Sequence, residues 1–218
     1  MGLIAIGDIH GCALTLDALL DQLAPTADDH LVFMGDYIDR GPDSKGVIER
    51  LMALQKTHPC TFLRGNHEAL MLACLDQYEY ELWAVNGGND TLRSYGIWEF
   101  RFHDLPEDHV AFVRATEFYY ETPTFFFVHA GLKPHLTVEQ NKQAANEEVY
   151  LWERSHLHAP SLAWEKTVVC GHTPQHEPIN REQLILIDTG CVYKHPRLGR
   201  LTAVRLPERA FVVVNYVG

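Results

Sequence analysis

Apolar positions follow two alternating rhythms along the first two-thirds of the chain. Leu3–Ile6 is a short continuous run, after which Leu16, Leu19, Leu20 and Leu23 recur at helical spacing. Leu31–Met34 is a second run, followed by Val47, Ile48, Leu51 and Leu54. Thr61–Leu63 is a third, and the helix after it starts near His67 and carries Leu70, Met71, Cys74 and Leu75. Short unbroken runs read as strands, and the wider spacing as helices with one face on a core. Strand, loop and helix in succession predict βαβ units around a parallel sheet. The rhythm then changes. Phe118–Thr122, Thr124–Val128, Thr167–Cys170, Leu184–Ile187, Leu201–Leu206 and Phe211–Tyr216 read as strands with few helices between them. Thr122-Pro123 and Pro207-Glu208-Arg209 read as hairpin turns, so some of these strands are expected to pair antiparallel. Two stretches are less regular: Tyr78–Phe102, aromatic and broken by Asn86-Gly87-Gly88, and Lys133–Trp164, polar and partly helical. Both are candidates for excursions over a site, and neither reads as a separate domain; whether Tyr78–Phe102 caps the site is not readable from the sequence. No repeat or flexible linker divides the sequence, so one mixed α/β domain over residues 1–218 is expected.

Composition narrows the class. With 46% hydrophobic and 22% charged residues in 218, wholesale disorder is excluded, and no apolar run is long enough to span a bilayer. The start, Met1-Gly2-Leu3, lacks the basic flank of a signal peptide. Five cysteines without a C-x-x-C pair read as reduced thiols, so a cytoplasmic location is expected. A formal net charge of −11 argues against a nucleic-acid partner, which needs a basic face.

The chemistry lies at the end of each strand. The runs lead into Gly7-Asp8-Ile9-His10-Gly11, Gly35-Asp36-Tyr37-Ile38-Asp39-Arg40-Gly41, Arg64-Gly65-Asn66-His67-Glu68, His129-Ala130-Gly131, Gly171-His172-Thr173 and Asp188-Thr189-Gly190. A lone His or Gly-Asp is usually an ordinary polar or turn residue. Recurrence at one strand end after another is different, because loops at the carboxyl ends of neighbouring strands converge on one crevice. Carboxylate, carboxamide and imidazole donors without thiolate favour Mn²⁺, Fe or Zn²⁺ over a sulfur-bound structural zinc. The donors are too many for one four-coordinate ion, which points to two divalent ions bridged by a carboxylate such as Asp36.

These clusters resemble, in order, the motifs GDxHG, GDxxDRG, GNHE, HAG and GH of the PPP-type serine/threonine phosphatases, in their compact bacterial and phage forms. Those enzymes belong to the calcineurin-like metallophosphoesterase superfamily, and the match runs from Gly7 to His172. The resemblance implies a central mixed β-sandwich flanked by helices. It implies that Asp8 and His10 hold one metal, that Asp36 bridges, and that Asn66, His129 and His172 hold the second, with Mn²⁺ the expected ion. Asp188 lies outside that set and is expected to order its loop. Arg40 and Arg64 are expected to grip phosphate oxygens, and Arg154, in Leu151-Trp152-Glu153-Arg154, resembles a third such arginine.

The implied activity is hydrolysis of a phosphomonoester by a water activated between the two ions, with a phosphoprotein or phosphopeptide as substrate. His67 directly follows Asn66, so it stands near the metals without needing to bind them. It is expected to be the general acid, oriented by Asp39. The alternative on the same site is a symmetrical dinucleoside tetraphosphate hydrolase or a small-molecule phosphatase. In the dinucleotide case Tyr78, Tyr80, Trp83 and Trp98 would offer stacking surfaces for adenine, although ordinary packing of amphipathic helix faces is the stronger reading of those aromatics. Cys191 and Arg197 satisfy the bare C-x5-R spacing of cysteine-dependent phosphatases, but the intervening loop lacks glycine and carries Pro196.

Overall fold

Every core strand is buried on both faces, and that double burial organises the molecule. A computed structural model describes residues 2–98, 100–144 and 146–218; Glu99 and Ala145, one in each irregular stretch, and Met1 lie outside the described residues. The first sheet has the order β10-β9-β1-β2-β3, built from β1 (Leu3–Ile6), β2 (His30–Phe33), β3 (Cys60–Phe62), β9 (Arg200–Leu206) and β10 (Ala210–Asn215). β1, β2 and β3 are parallel, whereas β9 and β10 run antiparallel. The second has the order β4-β5-β6-β8-β7, from β4 (Tyr119–Glu121), β5 (Phe125–Val128), β6 (Thr167–Cys170), β7 (Ile179–Asn180) and β8 (Leu184–Leu186). Here β5, β6 and β8 are parallel and the two edge strands antiparallel. Both expected hairpins form.

Strand alternation sorts the side chains into three layers. Ala5, Val32 and Val204 from the first sheet meet Phe125, Phe127, Val169 and Ile185 from the second, forming the sandwich interior. The intervening residues Ile4, Ile6, Leu31 and Phe33 face outward onto helices α1 (Ala13–Leu23), α2 (Ser44–Leu54) and α3 (Asn66–Gln77). On the opposite side, Phe126, Val128, Val168 and Leu184 meet Val138, Tyr150 and Trp164. Mixed α/β architecture with two mixed sheets flanked by helices is thus the observed fold.

The irregular stretches have structure of their own. Residues from Tyr78 onward form α4 (Tyr80–Trp83), a kinked turn over Ala84–Gly88, and α5 (Asn89–Ser94). α6 (Glu107–Arg114) comes next, unforeseen from the pattern, and the later stretch holds α7 (Val138–Ala144) and α8 (Glu147–Trp152). Among the described residues, no helix is long and apolar enough to cross a membrane.

Candidate dinuclear metal site

The carboxyl ends of β1, β2, β3, β5, β6 and β8 meet at one edge of the sandwich and deliver their loops to a common centre. Asp36 stands in the middle: its Oδ2 lies 3.5 Å from His10 Nε2, and its Oδ1 lies 3.5 Å from His129 Nε2. Asn66 Oδ1 is 3.0 Å from His129 Nε2 and 2.9 Å from His172 Nδ1. Two compact groups of ligand-type atoms result, His10–Asp36–His67 and Asp36–His129–His172, all buried and sharing Asp36. Asp8 falls outside both groups. Its Oδ2 accepts the His172 backbone N–H at 2.8 Å, while its Oδ1 is buried with no partner among the described residues. A Cβ on Gly171 would come within 2.0 Å of that same oxygen, so only glycine lets the two loops approach.

The backbone is wound tightly here. His10, Asp36, Asp39, Arg40 and His172 all have φ between 47° and 72°, a region L-residues enter only when their surroundings insist. The insistence comes from cross-loop hydrogen bonds. His10 N–H donates to the Asp36 carbonyl at 2.8 Å and Gly11 N–H to that of Tyr37 at 2.8 Å. Glu68, buried, accepts the N–H groups of Asp36 and Tyr37 at 2.8 Å and of Gly65 at 2.9 Å, tying the β2 and β3 loops together. Its importance was not read from the sequence, although a glutamate three residues into a helix after a Gly-Asn pair is the position for catching loose N–H groups.

Protonation suits cation binding. Burial drives His10 down to about 3 and His172 to about 2, and also lowers His129, so all three are neutral imidazoles. Nδ1 of His10 donates to the Ile38 carbonyl at 2.9 Å and Nδ1 of His129 to that of Met34 at 2.8 Å, which leaves each Nε2 lone pair turned inward. Burial, then the charges of Asp188 and Asp36, push Asp8 upward. Burial likewise raises Asp188 to about 7; its Oδ1 accepts the Gly190 N–H at 2.8 Å, the loop-ordering bond expected of it. Several buried carboxylates facing one another, one with an orphaned oxygen, form a cradle short of positive charge. Two divalent cations fit that donor set.

His67 and Asp39 form a second buried unit. His67 Nδ1 donates to Asp39 Oδ2 at 2.7 Å. Burial pulls against charge on the imidazole, but Asp36 and the Asp39 hydrogen bond outweigh it and raise His67 above its ordinary value.

The arginines divide. Arg40 Nη1 lies 3.0 Å from His10 Nε2, and Arg154 Nε donates to His172 Nε2 at 3.1 Å, so both exposed guanidinium groups reach the centre. Arg64 does not: it bonds Thr116 Oγ1 at 3.0 Å and the Arg114 and Thr116 carbonyls at 2.8 and 3.1 Å, and lies over the Phe118 ring. Three acceptors in one segment out-compete the approach expected of it. Trp83 is fully buried, which is the packing reading of the aromatic segment and leaves it no stacking surface. Cys191 is buried, and the neighbouring Cys12 thiol together with burial pushes its own thiol well up, the reverse of a nucleophile's requirement.

Residues 1–199 match the calcineurin-like phosphoesterase family. The chain belongs to that family. It is a hydrolase of the metallophosphoesterase type, a family that uses a dinuclear divalent metal centre, and the structure carries candidate His and Asp ligand groups. The asymmetrical bis(5'-nucleosyl)-tetraphosphatase PrpE of Oceanobacillus iheyensis is 29% identical, over 96% of this chain and 90% of its own length. Serine/threonine-protein phosphatase 1 of Salmonella typhimurium is 30% identical, over 92% of this chain and 90% of its own. A crystal structure provisionally assigned as a diadenosine tetraphosphatase superposes with a TM-score of 0.74 at 25% identity, covering 100% of this chain and 94% of that one.

Proposed function

We propose that this phosphoesterase cleaves phosphomonoesters of alcohols, with phosphoserine and phosphothreonine of proteins as its substrate class. The observation that carries the reading is the buried His67–Asp39 pair, with its 2.7 Å hydrogen bond and a raised imidazole. An alkoxide is a poor leaving group and needs a proton as the P–O bond breaks. A nucleotide phosphate departs as a stable anion and needs one far less. His67 donates that proton, and Asp39 orients the ring and favours its charged form. Asp8, His10 and Asp36 would hold one divalent cation, and Asp36, Asn66, His129 and His172 the other, Mn²⁺ being the ion to test first. When bound, the pair supplies an activated water and neutralises phosphoryl charge. Arg40 and Arg154, exposed at the rim on opposite histidines, leave those nitrogens and grip phosphate oxygens bidentately.

A second reading, hydrolysis of dinucleoside polyphosphates, is favoured by similarity to the PrpE protein along nearly the whole chain. Rates on a phosphoserine peptide, p-nitrophenyl phosphate and diadenosine tetraphosphate separate the two. His67→Asn is expected to lower turnover on the peptide by about 100- to 10,000-fold and on the aryl ester far less. Equal loss on both esters removes His67 from the proton-donor role. A tenfold or greater preference of the native protein for the dinucleotide replaces the phosphoprotein reading, and its products then tell symmetrical from asymmetrical cleavage.

A further inference from the structure

Asp39 has more partners than His67 alone, and they come from the aromatic excursion. Trp83 Nε1 donates to both carboxylate oxygens, at 3.1 Å to Oδ1 and 3.0 Å to Oδ2. The Thr91 hydroxyl donates to Oδ1 at 2.7 Å and accepts the Asp39 backbone N–H at 2.9 Å. Asp39 and Trp83 are fully buried, and Thr91 is 1% exposed. A carboxylate in that setting has every direction of motion blocked by a donor.

The chain between Trp83 and Thr91 is shaped for this contact. Gly88 lies against the indole: a Cβ there would sit 2.5 Å from the ring, so a larger residue would displace it. Gly87 takes φ 110°, and its carbonyl accepts the Arg40 N–H at 3.4 Å. The Tyr80 hydroxyl donates to Asn89 Oδ1 at 2.6 Å, pinning α4 to α5 across the kink. The same short excursion therefore grips the Asp39 side chain, the Asp39 N–H and the Arg40 N–H. Those are two consecutive non-glycine residues at φ 72° and 68°. A strained backbone pair persists only where its surroundings over-determine it, and here the excursion does so.

We infer that Trp83 and Thr91 are positioning residues for proton transfer: they clamp Asp39, and through Asp39 they hold His67 in line with the leaving oxygen. The aromatic excursion is a brace beneath the acid. The inference rests on the reading of His67 as general acid.

Thr91→Val preserves shape while removing the hydroxyl, and Thr91→Ser restores it. Thr91→Val is expected to lower kcat on a phosphoserine peptide by about 10- to 100-fold, the scale of a hydrogen bond to a charged group. Its rate on p-nitrophenyl phosphate should stay within about threefold of native, on the same scale. Thr91→Ser should recover the peptide rate. Gly88→Ala, which drives the indole off Asp39, should reproduce the selective loss. A readout independent of turnover is the low-field proton resonance of His67 Nδ1–H in ¹⁵N-labelled, metal-free protein, assigned by its disappearance in His67→Asn. It should shift or vanish in Thr91→Val and return in Thr91→Ser. If His67→Asn is selective between the two esters while Thr91→Val is silent or slows both equally, the clamp is overturned and the acid stands. If His67→Asn is itself unselective, the acid reading falls, and the proton resonance alone then decides whether the clamp orders the pair.

Discussion

At the residue scale, the carboxylates do unequal work. Asp36 joins both donor groups because each of its oxygens faces a different histidine at 3.5 Å. Asp8 has a buried oxygen that no described residue satisfies. Glu68 belongs to neither group of donors, yet it accepts three buried N–H groups from two loops, that of Asp36 among them. Burial, then the Asp36 charge, raises it to about 7, and the Tyr37 and Asp36 N–H bonds work against the rise. Glu68→Ala leaves three donors unpaired, each costing about 1–3 kcal/mol. A drop of at least about 3 kcal/mol in unfolding free energy and weaker Mn²⁺ binding by calorimetry are expected. Unchanged stability would mean that the Asp36 loop holds its shape without that anchor. The candidate donor residues were legible in the sequence because each lies in the loop that leaves an apolar run. The direction taken by Arg64 was not, because carbonyls fifty positions onward capture it.

At the element scale, long helices and central strands were readable and short elements were not. α1, α2 and α3 span 11 or 12 residues and show their apolar stripe. α4 and α5 have 4 and 6 residues, too few to nucleate alone, so their helicity comes from tertiary contact. α8 ends beside Glu153, whose Oε1 accepts the N–H groups of Arg154 at 3.0 Å and Ser155 at 2.7 Å, fixing the turn that aims Arg154. Burial alone would raise Glu153, but the Lys133 ammonium and the hydrogen bonds from Ser155 hold it at about 2 against an ordinary 4.5. A carboxyl lowered on folding contributes stability that is complete above its unfolded value and is lost as pH falls through the folded one. Urea titrations should therefore show native protein losing more stability between pH 4.5 and 2 than Glu153→Gln does. Parallel acid limbs would show that the turn draws nothing from this charge.

At the scale of the whole molecule, the candidate ligands come from both sheets. Asp8, His10, Asp36 and Asn66 follow strands of the first, while His129 and His172 follow strands of the second. Cations held among them cross-link the sandwich at its open edge. Saturating Mn²⁺ at a hundredfold excess over its Kd should stabilise the fold by about 2.7 kcal/mol for each site, and a chelator should reverse it. EDTA should also abolish turnover, whereas iodoacetamide should not, since Cys12, Cys74, Cys170 and Cys191 are buried and Cys60 is partly so. An unchanged Tm on metal addition, or inactivation by the alkylating agent, would count against the cross-linked centre.

The amino-acid order by itself determined which donors exist and that they recur behind successive strands, because a strand end and the loop leaving it are neighbours in the chain. It determined the buried strands too, since continuous apolar runs have nowhere to go but between layers. Only the tertiary structure decided that Arg64 turns aside, that Trp83 lies beneath Asp39 instead of facing a ligand, and that Glu68 binds two loops together. Those outcomes depend on hydrogen-bond partners drawn from distant parts of the chain, and competition among such partners is resolved only when the packed layers bring them within reach.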